Sequence, residues 1–181
     1  MSSDWNVVVT SLPGREHERL LLRALVAYGE FHRRPPFKDV CVGRVADVGR
    51  FLDEVEGAVE ANEPWVADLG RVIPVERTFH FKPENLAEQL KEAVGSMLDR
   101  ISGTFYVRVE RRGLAGKVLS QEVESAVGDH LLSLAASQGK RLSVSFEDAN
   151  YIVCAETIGD ECGVALISRE LRQRYRFVHV K

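Results

Sequence analysis

The feature that most constrains this chain is a hydrophobic pattern that changes period repeatedly along 181 residues. Stretches of helical period alternate with short stretches of strand period, and a chain patterned in this way must layer helices on a sheet. Val7-Val8-Val9, closed by a turn at Pro13-Gly14, reads as a buried strand. From Glu16 the spacing of Leu21, Leu22, Leu25 and Val26 is helical up to Tyr28, with Gly29 placed to cap the helix. After a Pro35-Pro36 loop, Val40, Val42 and Val45 predict a second strand, and Val48, Phe51, Leu52, Val55 and Val59 predict an amphipathic helix. A short segment around Trp65 leads to a third strand from Val72 through Phe81. The order is that of a small ferredoxin-like layer.

Lys82-Pro83 punctuates the pattern, and the expected domains are 1–82 and 83–181. A second helical stripe runs from Leu86 through Leu90, Val94, Met97 and Leu98 to Ile101, ending before Gly103. Beyond it Phe105, Val107 and Val109 alternate with Tyr106, Arg108 and Glu110, the period-two signature of a half-buried strand. Ser120 is placed to N-cap a helix whose Val123, Val127, Leu131 and Leu134 face inward, up to Gly139. Two further strands, 151–158 and 162–168, flank Gly159-Asp160. If that dipeptide is a two-residue turn, Ile152 pairs with Ile167, Val153 with Leu166 and Cys154 with Ala165. The fold class is therefore α+β.

Charge is unevenly spread. Residues 1–99 hold 12 Lys and Arg against 17 Asp and Glu, a net of −5, whereas residues 100–181 hold 12 against 10, a net of +2. An overall charge of −3 excludes a protein that coats nucleic acid indiscriminately, since such affinity comes from neutralising many phosphates, but it permits a local basic site. The opening Met1 to Trp5 is polar and acidic, unlike a leader, and no apolar run approaches the roughly 20 residues of a membrane span, so the expected location is the cytoplasm. Cys41, Cys154 and Cys162 lack metal or redox spacing and read as reduced thiols.

Two segments concentrate cations. The first is GTFYVRVERRG, residues 103–113, followed by Leu114-Ala115-Gly116-Lys117. Here a strand meets a helix through a loop that offers Arg111 and Arg112 as planar donor forks and Lys117 as a point charge beside a helix N-terminus. The alternative is a solvated basic turn. A phosphate-cradling P-loop is excluded, because Gly113 to Lys117 is too short and Val118 stands where a magnesium-binding hydroxyl is required. The second is SRELRQRYRFVHVK, with Arg169, Arg172, Arg174, Arg176 and Lys181 interleaved with Tyr175 and Phe177. Cations track phosphates and aromatics stack bases, although Tyr175 and Phe177 read first as core residues. A third patch, His32-Arg33-Arg34 through Lys38, reads first as a solvated loop, with an auxiliary contact as the alternative. The five histidines are scattered, and Glu54, Glu56, Glu60 and Glu63 form a solvated helix face. No nucleophile elbow, dinucleotide fingerprint or zinc deaminase signature is present, which favours a binding module without cofactor over an enzyme.

The helix around 86–98, FYVRVERRG, SQEVESAVGDHLL and YIVCAETIGDECGVALIS, in this order, resemble the THUMP domain, an RNA-binding module of tRNA-modifying systems. WNVVVTS and RVIPVERTF are similar to the ferredoxin-like domain that precedes it. The resemblance implies recognition of the tRNA acceptor stem and its single-stranded CCA end, with Arg108, Arg111, Arg112 and Lys117 near the RNA, while the composition of the tail adds Arg169, Arg172, Arg174 and Arg176 as candidate contacts. Family members commonly carry a catalytic domain after THUMP, and this chain reaches only Lys181. The arrangement is thus similar to stand-alone adaptors that present tRNA to a separate cytidine acetyltransferase. Rival expectations are a subunit for thiolation or methylation, an enzyme with a site assembled in three dimensions, and a scaffold for an acidic protein. One departure stands out: Asp148-Ala149-Asn150 replaces the Asn-Pro-Asp turn of many members.

Overall fold

The computed structural model describes residues 4–181. The polar opening therefore falls in part, at Met1 to Ser3, outside the described residues. The chain divides into two compact units, one containing residues up to Val75 together with Arg172–His179, the other Glu76–Leu171.

The first unit is built on an antiparallel sheet in the order β2-β3-β1-β4, with β1 Val7–Ser11, β2 Glu30–Arg33, β3 Val40–Arg44 and β4 Leu69–Pro74. Helix α1 (Arg15–Leu25) joins β1 to β2, and α2 (Val48–Glu60) joins β3 to β4. This β-α-β-β-α-β order is the ferredoxin-like one. Helix α2 starts where the Asp47 carboxylate accepts the Arg50 backbone N–H at 3.0 Å. Helix α1 spans less than its periodicity implies, ending at Leu25 with Val26 as C-cap rather than reaching Gly29. The patch expected in a loop is partly strand: His32 and Arg33 lie on β2, and Arg33 pairs with the buried carboxylate of Glu18, which also accepts the Asp39 backbone N–H at 2.7 Å. Phe31 is the one buried residue of β2, and it packs 5.7 Å from Phe51.

The second unit has a mixed sheet in the order β5-β9-β8-β6-β7, from β5 Arg77–His80, β6 Gly103–Glu110, β7 Leu142–Val144, β8 Tyr151–Ile158 and β9 Glu161–Ser168. Strand β6 is parallel to both neighbours, while β8, β9 and β5 run antiparallel in turn. Parallel neighbours need a crossover, and α4 (Ser120–Ser137) supplies it between β6 and β7. Helix α3 (Leu86–Gly95) packs beside it, and Leu90, Val94, Val127 and Leu131 meet Phe105, Val107 and Val109 in one buried cluster. The β8–β9 register is the one the two-residue turn predicts, with Ile152 opposite Ile167, Val153 opposite Leu166 and Cys154 opposite Ala165. Gly159 at φ 62 supplies the left-handed residue that this turn requires.

Three boundaries differ from expectation. The segment 72–81 is two strands in two sheets: β4 ends at Pro74, and β5 pairs Arg77 with Val164 of β9. The division between units therefore falls after Val75 rather than at Pro83. Helix α4 begins one residue earlier than expected, with Leu119 at the N-cap position and Ser120 already helical. The tail from Arg172 joins the first unit, where the Val72 N–H donates to Phe177 O at 2.9 Å along the edge of β4, and Tyr175 and Phe177 are buried.

All three cysteines are free and buried, and burial pushes the Cys41 thiol up to about 12. Among the described residues no helix is long and apolar enough to cross a membrane.

Candidate nucleic-acid interface

The loop between β6 and α4 is held from below and bare on top. Gly113, Leu114 and Gly116 all take positive φ, at 87°, 55° and 77°, which reverses the chain within a few residues. Val118 is buried and Leu114 packs against the core, while both the Lys117 and Val118 N–H groups donate to Leu114 O at 3.0 Å. The start of the loop is fastened to the β8–β9 turn: the Arg112 N–H donates to Thr157 O at 3.1 Å, and the Gly159 N–H to Arg112 O at 2.9 Å. What remains exposed ahead of α4 is Arg111, Ala115, Gly116, Lys117 and Leu119.

The eight candidate cations do not form one set. Arg108, Arg111, Arg112, Lys117 and Arg169 belong to the second unit, and Arg172, Arg174 and Arg176 to the first. Arg112 turns inward: its Nη1 lies 2.6 Å from Oε2 of Glu156, with side chains 16% and 0% exposed. A guanidinium committed to a fully buried carboxylate is a structural group. Arg169 is likewise engaged, its Nε donating to Asp148 Oδ1 at 3.0 Å and its Nη2 to Asp148 O. Arg174 pairs with Asp53 at 3.1 Å and stacks on Tyr175, and Arg172 lies on the short helix α5 (Arg169–Arg174). Among the described residues Arg111, Lys117 and Arg176 are exposed and form no ion pair; Arg111 reaches only the carbonyl of Gly113, at 2.5 Å.

The Asp148-Ala149-Asn150 departure has a definite structural role. Asn150 Oδ1 accepts both the N–H and the hydroxyl of Thr104, at 2.8 and 2.9 Å, and the Asn150 N–H donates to Thr104 Oγ1 at 3.0 Å. This ties the turn to the start of β6. Gly103, at φ 74, is required there, since a Cβ would meet Asn150 Oδ1 at 2.4 Å.

Arg108 stands elsewhere, beside a notch of about 490 Å³ at the free edge of β6. Strand β7 pairs with β6 only as far as Phe105, so Val107 has no strand neighbour on the side away from β8. The Val109 N–H on that side is taken by Glu124 Oε1 at 2.9 Å. The Arg108 guanidinium sits 5.5 Å above the Tyr106 ring, and Tyr106 lies 5.6 Å from Phe146. Phe146 is 69% exposed, the most exposed large apolar side chain among the described residues. Sequence reasoning missed it because an isolated Phe in the polar stretch 143–150 looks like any loop anchor.

A helix-backed mixed sheet with exposed cations on one loop and an exposed aromatic at its free edge makes the second unit an α+β module. Residues 82–166 match the THUMP domain family, so this unit carries a THUMP domain. No curated protein matches the chain. Among solved structures the chain is similar to TrmN from Thermus thermophilus, with 22% identity and a TM-score of 0.63 over 88% of this chain and 44% of that one. It is also similar to PH1313 from Pyrococcus horikoshii OT3, with 15% identity and a TM-score of 0.59 over 89% and 54%. A third likeness is to a 4-thiouridine synthetase solved in complex with RNA and bound ATP, with 15% identity and a TM-score of 0.57 over 90% and 41%. At these identities the likeness is one of fold, and the chain spans about half or less of each of those proteins.

Proposed function

We propose that this chain is a tRNA-binding adaptor that holds the acceptor region of tRNA and presents it to a separate modifying enzyme, a cytidine acetyltransferase. Its own contribution is positioning, without covalent chemistry. The observation that carries the reading is the THUMP domain at 82–166 with Arg111 and Lys117 both exposed on the loop between β6 and α4. Two exposed cations on one loop, with Lys117 close ahead of a helix N-terminus, suit the phosphates of a single strand or stem. Similarity to a 4-thiouridine synthetase held with RNA, and to TrmN, favours a second reading in which the modification served is thiolation or methylation.

The test is replacement of Arg111 and Lys117 together by Ala, followed by tRNA binding across a salt series. Each phosphate contact contributes roughly 0.7 to 0.9 log units of affinity per tenfold change in salt. Loss of both should lower affinity about tenfold at moderate salt and flatten the slope by roughly 1.4 to 1.8. An unchanged slope removes this loop from the interface.

A further inference from the structure

We infer that the groove between α1 and the edge strand β2 of the first unit docks an extended acidic segment of a protein partner, which adds a strand to the sheet. For the partner's identity the inference rests on the adaptor reading: the segment belongs to the separate modifying enzyme.

The two edges of the first sheet are treated differently. Along β4 the chain lays down its own tail, with the Val72 N–H donating to Phe177 O at 2.9 Å. Strand β2 is the other edge, and among the described residues nothing pairs with its outer side. An open edge presents unpaired N–H and C=O groups, a template for one more strand. Four residues allow only a short ladder, so most of the grip comes from what flanks it.

The flank is α1. Phe31 is buried, and Arg33, two residues on and so on the same side of the strand, meets Glu18 of α1. Between them lies a groove of about 600 Å³, lined by Arg33 and by one face of α1. Its apolar part is Leu22, half-buried, and Val26, which at 57% is the most exposed large apolar side chain among the described residues of the first unit. Arg15, Arg19 and Arg23 follow one another at a spacing of four residues, which keeps them along the same helix face.

Charge selects the occupant. Arg19 is paired with Glu16 at 2.7 Å, but Arg15 and Arg23 are exposed and form no ion pair among the described residues. Arg33 gives Glu18 its Nε, which leaves the two terminal nitrogens of the guanidinium for a ligand. Glu18 itself is buried with both oxygens engaged, Oε1 by Arg33 and Oε2 by the Asp39 N–H. The lining thus holds four arginines against two glutamates, a net of +2, within a stretch 1–99 whose net charge is −5. A patch opposite in sign to its surroundings selects an acidic partner. Because Leu22 and Val26 are aliphatic, the groove offers no ring for a base to stack on, and the complement is a peptide that carries both carboxylates and aliphatic side chains. Strand addition beside a helix supplies backbone bonds for affinity and side-chain contacts for specificity.

The probe is a short synthetic peptide of alternating Glu-Glu and Val-Val pairs, so that each face of the extended strand carries both residue types. The full chain should bind it about tenfold more tightly than the same peptide with Lys for Glu or with Ser for Val. Binding should slow hydrogen exchange across Glu30–Arg33. Arg15→Glu combined with Arg23→Glu, both on the surface, should weaken the peptide at least about tenfold while tRNA affinity stays as in wild type. Equal binding of the acidic and basic peptides, an acidic peptide that leaves β2 unprotected, or a double variant that binds it as wild type does would each overturn the inference. A double variant that loses tRNA instead would make the groove an RNA surface, which overturns the inference and leaves the adaptor reading standing. If the peptide results hold and wild-type protein binds no tRNA, the adaptor reading fails, and with it the modifying enzyme as partner, while the docking groove stands.

Discussion

Arg112→Ala is expected to destabilise the second unit by about 3 kcal/mol, because it removes the guanidinium from a carboxylate that solvent cannot reach. Glu156 lies on β8 with 0% side-chain exposure, and Arg112 holds it at 2.6 Å from a position that is itself only 16% exposed. The backbone bonds of Arg112 to Thr157 and Gly159 survive the substitution, so the loss isolates the guanidinium. Arg111→Ala, one residue away and exposed, should change stability by no more than about 0.5 kcal/mol. Urea denaturation of both variants makes the comparison. Similar midpoints would show that the buried pair contributes nothing, and Arg112 would return to the list of RNA contacts. The distinction matters for mutagenesis, since replacing Arg111 and Arg112 together would confound lost contact with lost structure.

Phe105→Ala should be costlier still, on the order of 3 to 5 kcal/mol, the range for removing a fully buried aromatic ring. Phe105 is completely buried in the cluster that α3 and α4 make with β6, among Leu90, Val94, Val127 and Leu131. Its carbonyl also accepts the Ser145 N–H at 3.0 Å, which carries the chain from β7 towards Phe146. For a domain whose total stability is about 5 to 15 kcal/mol, such a loss should lower the melting temperature by many degrees and take RNA binding with it on warming. A cost below about 1 kcal/mol would mean that the helices do not close over β6 as described.

Much of this architecture is legible before any coordinates. The alternation of Phe105, Val107 and Val109 with Tyr106, Arg108 and Glu110 places one set in the core and the other on the opposite face, and the Gly159-Asp160 turn fixes the β8–β9 register. Both are local rules, one of period and one of turn geometry. What is not legible is nonlocal. Strand β2 has the sequence Glu-Phe-His-Arg with one apolar residue, too little pattern to separate it from the adjoining loop. The stretch 72–81 has continuous strand character, yet nothing in it says that its halves enter different sheets. The burial of Tyr175 and Phe177 follows from their priors, whereas the bond from Val72 to Phe177 that draws the tail into the first unit joins residues far apart in sequence.

The cations show the same limit more sharply. Composition identifies where positive charge is dense, but only partners decide which charges are available. Glu156 claims Arg112, Asp148 claims Arg169 and Asp53 claims Arg174, all across separations that spacing does not reveal. The basic C-terminal half therefore reduces to a few bare cations, with Arg111 and Lys117 together on one loop of the THUMP-bearing unit. Nor does composition foresee that an open sheet edge, an exposed Phe146 and a helix glycine meet at one notch.

The central claim is that the chain grips tRNA by its acceptor end, and the most direct measurement is equilibrium binding of the full chain to intact tRNA and to the same tRNA trimmed of its CCA. Stacking of single-stranded bases is worth about 1 to 3 kcal/mol each, so the account predicts that trimming weakens binding by about tenfold or more. Equal affinity for the two RNAs would contradict it.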